Sequence, residues 1–163
     1  MRYIMMIAAM ALLVAGCSHV ISRESLDLVD QSISFHQVKE NPEGLSGKYI
    51  LLGGIIAGVE NSPAGGELEI VQVGLDWLGR PADGAPSEGR FIARSERFLD
   101  PVLFAKGLTV SLVGRVDGKK SKPLGGIEYT YPVVTIREIR ILQPDRYSND
   151  PTFHFGIGIG TYF

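Results

Sequence analysis

The sequence predicts an all-β fold: a small closed barrel of five to six antiparallel strands, with one short helix between strands three and four. From residue 48 to residue 142, apolar and polar residues alternate with a period of two, as half-buried strands require. The alternation changes parity at several points, which indicates β-bulges in strongly coiled strands. Gly53 and Gly54 interrupt the most apolar run, where a strand bends or two sheet edges approach each other.

Five stretches carry the alternation, and each predicts a strand. They cover residues 49–59, 67–75, 90–96, 108–117 and 127–141. The second stretch changes parity after Ile70, which predicts a β-bulge there. The fifth changes parity twice, which predicts either one long coiled strand or two strands that meet at a corner near Pro132.

The segment between the third and fourth strands carries the signals of a short helix. Asp100 suits the N-cap, Pro101 the first helical position and Gly107 the C-terminal stop. We expect about two helical turns between them. Strands, bulges and a helix in this position are together typical of an OB-like barrel. An open β-sandwich is the alternative, because the number of strands does not establish closure.

Residues 1–16 are typical of an export signal peptide, and Cys17 follows it directly. A charged start precedes an apolar run over residues 4–14, and V-A-G-C at its end matches a lipobox, where a bacterial signal peptidase cuts before a lipid-modified cysteine. The run is shorter than the ~20 residues that a transmembrane helix needs. At the end of the run, Ala15-Gly16-Cys17 does not supply the A-x-A pattern of ordinary signal cleavage. A buried core helix is the remaining alternative, but the run shows no amphipathic pattern.

The predicted anchor is a diacylglyceryl group and an N-acyl chain on Cys17, and no other cofactor is expected. A single acyl chain binds a bilayer only reversibly, with K on the order of 10⁴ M⁻¹, so several chains are expected to retain the protein permanently. An Asp after the cysteine would keep a lipoprotein in the inner membrane. Ser18 stands there instead, which predicts the outer membrane.

The predicted mature chain has three parts: a lipidated N-terminus and tether over residues 17–34, a barrel domain over 35–143 and a glycine- and aromatic-rich tail over 144–163. Removal of the signal peptide takes the formal net charge from −2 to −3. This balance gives no electrostatic footprint for nucleic acid, which is therefore not expected as a partner. Cys17 is the only cysteine, so the domain has no disulfide and depends on burial.

An ordered series of motifs from about residue 35 to residue 142 resembles the Slp family of starvation-inducible outer-membrane lipoproteins. The series begins with Asn41-Pro42, Gly47, Leu52-Gly53-Gly54, Leu68-Glu69-Ile70 and Gly79-Arg80-Pro81. It continues with Gly89-Arg90-Phe91, Phe98-Leu99-Asp100-Pro101, Val110 to Gly114 and Tyr131-Pro132-Val133-Val134. The resemblance implies a β-barrel-like periplasmic domain in the envelope of starved or stressed cells, and it implies no catalytic site.

The residues offer little for metal binding or catalysis. His19, His36 and His154 are scattered and no second cysteine exists, so no metal site is expected. A Gly-x-Ser-x-Gly nucleophile motif is absent. The carboxylates available for acid–base chemistry are Glu67, Glu69, Asp76, Asp83, Glu88, Glu96 and Asp100. Glu67 and Glu69 alternate on the polar face of a strand, so ordinary solvated roles are expected for them.

Three aromatic residues are the candidate ligand-binding positions. Trp77 falls outside the strand alternation and is expected to be exposed in a loop. Tyr129 and Tyr131 stand on one face of a strand, where core packing is the alternative. Exposed rings on OB-like barrels often bind oligomers. The tail, with its period-two alternation from residue 153 onward, is expected to be mobile or to add to a sheet edge.

The sequence therefore predicts a non-enzymatic envelope lipoprotein that serves as a structural or interaction module. Its expected partners are outer-membrane lipid, through Cys17, and another envelope protein. The alternative is a periplasmic OB-like binding module for a cell-wall glycan or peptide.

Overall fold

The computed structural model describes residues 19–142, so Cys17, Ser18 and the predicted tail lie outside the described residues. Within these residues, two short helices precede five strands. The elements are α1 (Arg23–Leu26), α2 (Phe35–Glu40), β1 (Tyr49–Ser62), β2 (Gly65–Gln72), β3 (Arg90–Ser95), β4 (Thr109–Leu124) and β5 (Ile127–Leu142). No helix in this part of the chain has the length and apolar character needed to cross a membrane.

The five strands form a closed barrel in the order β1-β2-β3-β5-β4, and β4 pairs back onto β1. This confirms the predicted closed barrel and excludes the open sandwich. The β3–β5 pair, which includes Ile92 opposite Val133, is parallel, so the sheet is mixed and not wholly antiparallel as predicted. Both strands run in the direction of β1, and closure in this order places them side by side. β5 is one long strand, without a corner at Pro132.

β1 is shared between two neighbours, since its first half pairs with β4 and its second half with β2. The register shifts between Ile56 and Gly58, so the bulge lies in β1, and the bulge predicted in β2 is wrong. The change in the apolar–polar alternation after Ile70 falls instead where β2 ends, at Gln72. At Gly54 a Cβ would collide with the backbone carbonyl of Val71, which confirms that two strands approach closely there.

The helix predicted between β3 and β4 is wrong, because only a single turn forms. The Asp100 carboxylate does act as a cap, accepting the backbone N–H of Val102 at 2.8 Å, and Phe104 N–H donates to the Asp100 carbonyl at 2.9 Å. Gly107 then donates its N–H to the Ile56 carbonyl at 2.8 Å and ties the loop to β1. Since Val102 is 81% exposed, the turn lacks the buried face that stabilises a longer helix.

Residues 20–34, which belong to the predicted tether, pack against the barrel. Ile21 is buried, and Val29 bridges to Tyr49 at the start of β1. Ser22 caps α1, and its hydroxyl donates to the Glu138 carboxylate on β5 at 2.5 Å. The part of the predicted tether that the structure describes is therefore part of the folded domain.

The hydrophobic core fills the barrel interior. The rings of Phe35, on α2, and Phe91, on β3, lie with centroids 5.8 Å apart, so α2 packs onto this core. A capping box of Ser34 and Gln37 fixes the start of α2. Inward-facing aliphatic residues complete the core: Ile50, Leu52, Ile56, Leu68, Ile70, Val110, Leu112, Val116 and Val134.

Candidate functional site

The β4–β5 hairpin extends beyond the barrel and lies against the outer face of β2 and β3. We call this extension, residues 117–132, the arm. Lys120 Nζ lies 2.7 Å from the Glu67 carboxylate on β2. The Tyr131 hydroxyl donates to Glu69 Oε1, also on β2, at 3.1 Å. These contacts hold the arm across the sheet.

The two tyrosines predicted as ligand-binding candidates form the underside of the arm. Tyr131 is 2% exposed and packs with Ile92 and Val133 in a small second core. Tyr129 lies beside it, with ring centroids 4.7 Å apart in an edge-on arrangement, and its hydroxyl accepts the backbone N–H of Arg90 at 3.1 Å. Both rings therefore pack the arm against β3, which is the alternative that the sequence left open.

Both carboxylates of β2 beneath the arm have cationic partners. Glu67 lies 3.2 Å from Arg94 and 2.7 Å from Lys120, and Glu69 accepts from Arg90 at 2.6 Å. Burial opposes the charge on Glu67, but hydrogen bonds from Lys120 and Arg94 outweigh it and hold the pKa of Glu67 below its ordinary value. Glu67 is therefore an anion at neutral pH and is unsuited to donate a proton.

The space beneath the arm is small. A cavity of about 80 Å³ lies beside Ile92 and the Glu60–Lys122 ion pair, whose charged atoms are 2.6 Å apart. Small-molecule sites are typically ~300–1,000 Å³. Burial and the neighbouring Glu69 carboxylate raise the pKa of Tyr131, so its hydroxyl stays protonated and donates. The polar face beneath the arm is suited to fastening the arm and leaves room for only a few water molecules.

Trp77, the third candidate, lies apart from the tyrosines in the β2–β3 loop and is 73% exposed, which confirms the expected exposure. The turn that presents it is fixed by hydrogen bonds. The Asp76 carboxylate accepts the backbone N–H of Arg80 at 2.8 Å. Gly79 adopts φ +77°, and its carbonyl accepts the buried Ser111 hydroxyl at 2.6 Å. The indole is therefore exposed on a turn that is fastened to the barrel.

This turn lies beside the first described residues of the chain. Val20 N–H donates to the carbonyl of Leu78 at 3.3 Å, and the His19 imidazole lies against Gly79. Cys17, the predicted lipidation site, precedes His19 by two residues in the sequence and lies outside the described residues. A backbone contact between residues so far apart along the chain leaves no periodic signal, and for that reason the sequence did not reveal it.

Three other side chains singled out by the sequence, those of His36, Asp76 and Asp100, have structural partners. His36 lies on α2 with its Nε2 atom 3.2 Å from the Glu40 carboxylate. Asp76 and Asp100 cap turns. Within the described part of the chain, no three His, Cys, Asp or Glu side chains lie close enough together to hold a metal ion. His154 is outside the described residues.

A closed barrel of five strands in this order places the domain among the small OB-like barrels. The outer membrane lipoprotein Slp family matches residues 14–158, and the chain belongs to this family. The resemblance carried by the motif series is thereby confirmed. Membership of this family places the chain at the outer membrane of the cell envelope.

Two relatives come from Escherichia coli (strain K12). The chain is 30% identical over 155 residues to the uncharacterized lipoprotein YeaY, covering 91% of this chain and 79% of that protein. It is 27% identical over 137 residues to the outer membrane protein Slp, covering 83% of this chain and 72% of that protein.

Among solved structures, the chain is similar to two single-stranded DNA-binding proteins. Mitochondrial Rim1 of S. cerevisiae has a TM-score of 0.36 at 12% identity, with 59% of this chain and 95% of that chain covered. The small protein from Streptomyces coelicolor has a TM-score of 0.36 at 15% identity, with coverages of 57% and 92%. At these scores neither likeness bears on what this chain binds.

Proposed function

We propose that this lipoprotein is a non-enzymatic interaction module that contacts another envelope protein in starved or stressed cells, held on the periplasmic face of the outer membrane by acyl chains on Cys17. The observation that carries the interaction role is the β3–β4 loop. It presents Phe98, Val102 and Leu103 to solvent, at 69%, 81% and 60% exposure. Exposed apolar side chains grouped in one short loop are typical of protein interaction sites.

The barrel holds this loop in place. Leu99, between the exposed residues, is 6% exposed. Its backbone N–H donates to the Asn61 side-chain oxygen at 2.9 Å, and its carbonyl accepts from the Asn61 amide at 2.8 Å. A loop fixed in this way loses little conformational entropy when it binds, which favours recognition by its apolar side chains.

The non-enzymatic part of the proposal is supported by the partners of four of the seven candidate carboxylates. Glu67 and Glu69 are engaged in ion pairs beneath the arm. Asp76 and Asp100 accept backbone N–H groups within turns. A general acid or base needs a carboxylate that can reach a substrate and exchange protons near neutral pH. These four carboxylates are engaged in structural contacts instead.

Separation of inner and outer membranes on a density gradient tests the anchoring and the sorting. We expect wild-type protein in the outer-membrane fractions and the Ser18→Asp variant in the inner-membrane fractions. Cys17→Ser is expected to leave an uncleaved precursor, because the lipid-dependent peptidase no longer has its substrate. Normal processing of Cys17→Ser, or the same distribution for wild type and Ser18→Asp, would contradict the proposal.

Photo-crosslinking in intact cells tests the interaction role. A crosslinking amino acid at Leu103 is expected to give a discrete protein adduct that disappears when Phe98 and Val102 are replaced by Ser. The matched control is the same amino acid at Glu43, an exposed position in the segment between α2 and β1. Equal adducts from the two positions, or none from Leu103, would contradict a partner at this loop.

Binding of a cell-wall glycan or peptide is a second candidate function, favoured by the exposure of Trp77. Aromatic rings bind sugars and peptides when a fixed backbone presents them to solvent. A saturable change in Trp77 emission on addition of soluble muropeptides would favour this function.

A further inference from the structure

Trp77 is the only tryptophan of the chain, and none of the contacts described above uses its indole ring. It is 73% exposed, and Arg80 is exposed in the same turn. Tryptophan is enriched where proteins meet the headgroup layer of a bilayer, because its ring is apolar while its N–H is polar. An arginine at the same level pairs with lipid phosphates. The two side chains together have the chemistry of a membrane-interface contact.

The loop that carries Trp77 is seated on β1. A Cβ at Gly53 would strike the side chains of Leu75 and Pro81, so glycine at this position lets both flanks of the loop pack onto the strand. Leu75 and Pro81 also pair through their backbones. The hydrogen bond from the Ser111 hydroxyl, on β4, to the Gly79 carbonyl fixes the turn to the barrel. The position of the indole relative to the barrel is therefore set by the fold.

A short length of chain joins Cys17 to this turn. Val20 is hydrogen-bonded to Leu78, the residue after Trp77, and Cys17 precedes Val20 by three residues, a span of at most about 11 Å. Ile21 is buried, so the chain cannot slip outward to lengthen this connection without unpacking. Acyl chains on Cys17 therefore bring a bilayer surface within about that distance of the turn.

We propose that Trp77 and Arg80 enter the phospholipid headgroup layer that holds the Cys17 acyl chains, and so orient the barrel on the membrane. This inference rests on the lipidation of Cys17. The indole lies at the boundary between headgroups and hydrocarbon, and the guanidinium lies among the phosphates. The β2–β3 and β3–β4 loops leave opposite ends of β3, so this orientation points Phe98 away from the membrane.

Fluorescence of the lipidated full-length protein tests the inference, because Trp77 is the only source of tryptophan emission in the chain. The protein is reconstituted into vesicles of phosphatidylethanolamine and phosphatidylglycerol, with and without bromine on the acyl chains. We expect the emission maximum to move to shorter wavelength on reconstitution, the brominated lipid to quench it, and iodide in the aqueous phase to quench it less than before.

The matched control moves the tryptophan to the β3–β4 loop. In the double variant Trp77→Phe and Phe98→Trp, both positions are exposed in the parent, at 73% and 69%, so folding is expected to persist. Its emission should remain fully accessible to iodide and insensitive to brominated lipid. Equal lipid quenching at the two positions would overturn the proposed orientation.

The outcomes separate this inference from the proposed function. If mass spectrometry shows acyl chains on Cys17 and iodide still quenches Trp77 as fully as in the free protein, the membrane contact is overturned and the anchor stands. If Cys17 is unmodified, both are overturned. A response of vesicle-bound Trp77 to muropeptides but not to brominated lipid would overturn the membrane contact in favour of glycan binding.

Discussion

At the scale of single residues, Glu138 joins the N-terminal segment to the barrel. Its carboxylate accepts the hydroxyl of Ser22 at 2.5 Å and the backbone N–H of Ser22 at 3.3 Å, and it lies 2.9 Å from the Arg140 guanidinium. Burial opposes its charge, yet hydrogen bonds from Ser22, Ser25 and Arg140 lower the pKa of Glu138 to about 2. A membrane anchor at Cys17 would pull on the chain just before this contact.

The replacement Glu138→Gln tests this contact through its pH dependence. A carboxylate with a depressed pKa contributes stability that is fully present above its unfolded value of 4.5 and is lost as the pH falls towards about 2. At pH 7 we expect the free energy of unfolding of the variant to be about 1–2 kcal/mol lower than that of wild type. This difference should vanish near pH 2, where the carboxylate of the wild-type protein is also losing its charge. Urea titrations over this pH range measure it.

Glu128→Gln is the matched control for this measurement. Glu128 is exposed at the far end of the arm, where loss of its charge should change the free energy of unfolding by less than about 0.5 kcal/mol. A difference between wild type and Glu138→Gln that stays constant from pH 7 to pH 2 would contradict the role assigned to the Glu138 charge.

At the scale of elements, β1 determines how the barrel closes. It pairs with β4 over its first half and with β2 over its second half. The bulge between Ile56 and Gly58 lets this one strand pair with both neighbours. Gly54 lies where the two pairings overlap, opposite Val110 on β4 and Gln72 on β2. Because a side chain there would meet backbone, the closure depends on a residue without a Cβ.

A pair of glycine substitutions in β1 tests this. Gly54→Ala would drive its methyl group into the Val71 carbonyl, and we expect it to lower the free energy of unfolding by about 2–3 kcal/mol or more. Gly58→Ala, four residues along the same strand, meets only open space and should change it by less than about 1 kcal/mol. Thermal or urea unfolding of the two variants compares them, and equal stability would contradict the role of Gly54.

The elements also show what periodicity can predict. The five strands follow from alternation, because each has one face in the core and one in solvent. The helix signal at Asp100, Pro101 and Gly107 is local, and it fails because the exposed segment has no packing to sustain a second turn. The packed segment after Val20 escapes prediction because its contacts, such as Ser22 with Glu138, reach strands far along the chain.

At the scale of the whole molecule, the arm covers the face that OB-like barrels most often use. In such folds the outer face of strands two and three binds oligonucleotides and oligosaccharides. Here Tyr131 and Lys120 occupy that face and pair with Glu69 and Glu67.

The sequence predicts Tyr129 and Tyr131 on a common face, but whether that face meets solvent or β3 depends on how the hairpin folds back. The exposure of Trp77 could be predicted because this residue falls outside the alternation of apolar and polar residues that marks the strands.

The two surfaces to which we assign functions lie on loops at opposite ends of β3. The Trp77 turn is beside the chain that leads to Cys17, and the β3–β4 loop presents Phe98, Val102 and Leu103. In the proposed account the first faces lipid and the second faces the periplasm. The barrel then acts as a rigid spacer that fixes the distance and direction between the bilayer and a partner.

The most direct test of this account is the mass of the N-terminal peptide of the protein purified from membranes. The account predicts a peptide that begins at Cys17 and carries a diacylglyceryl group on sulfur and an acyl chain on nitrogen. A peptide that retains Met1, or one that begins at Cys17 with an unmodified thiol and amine, would contradict it.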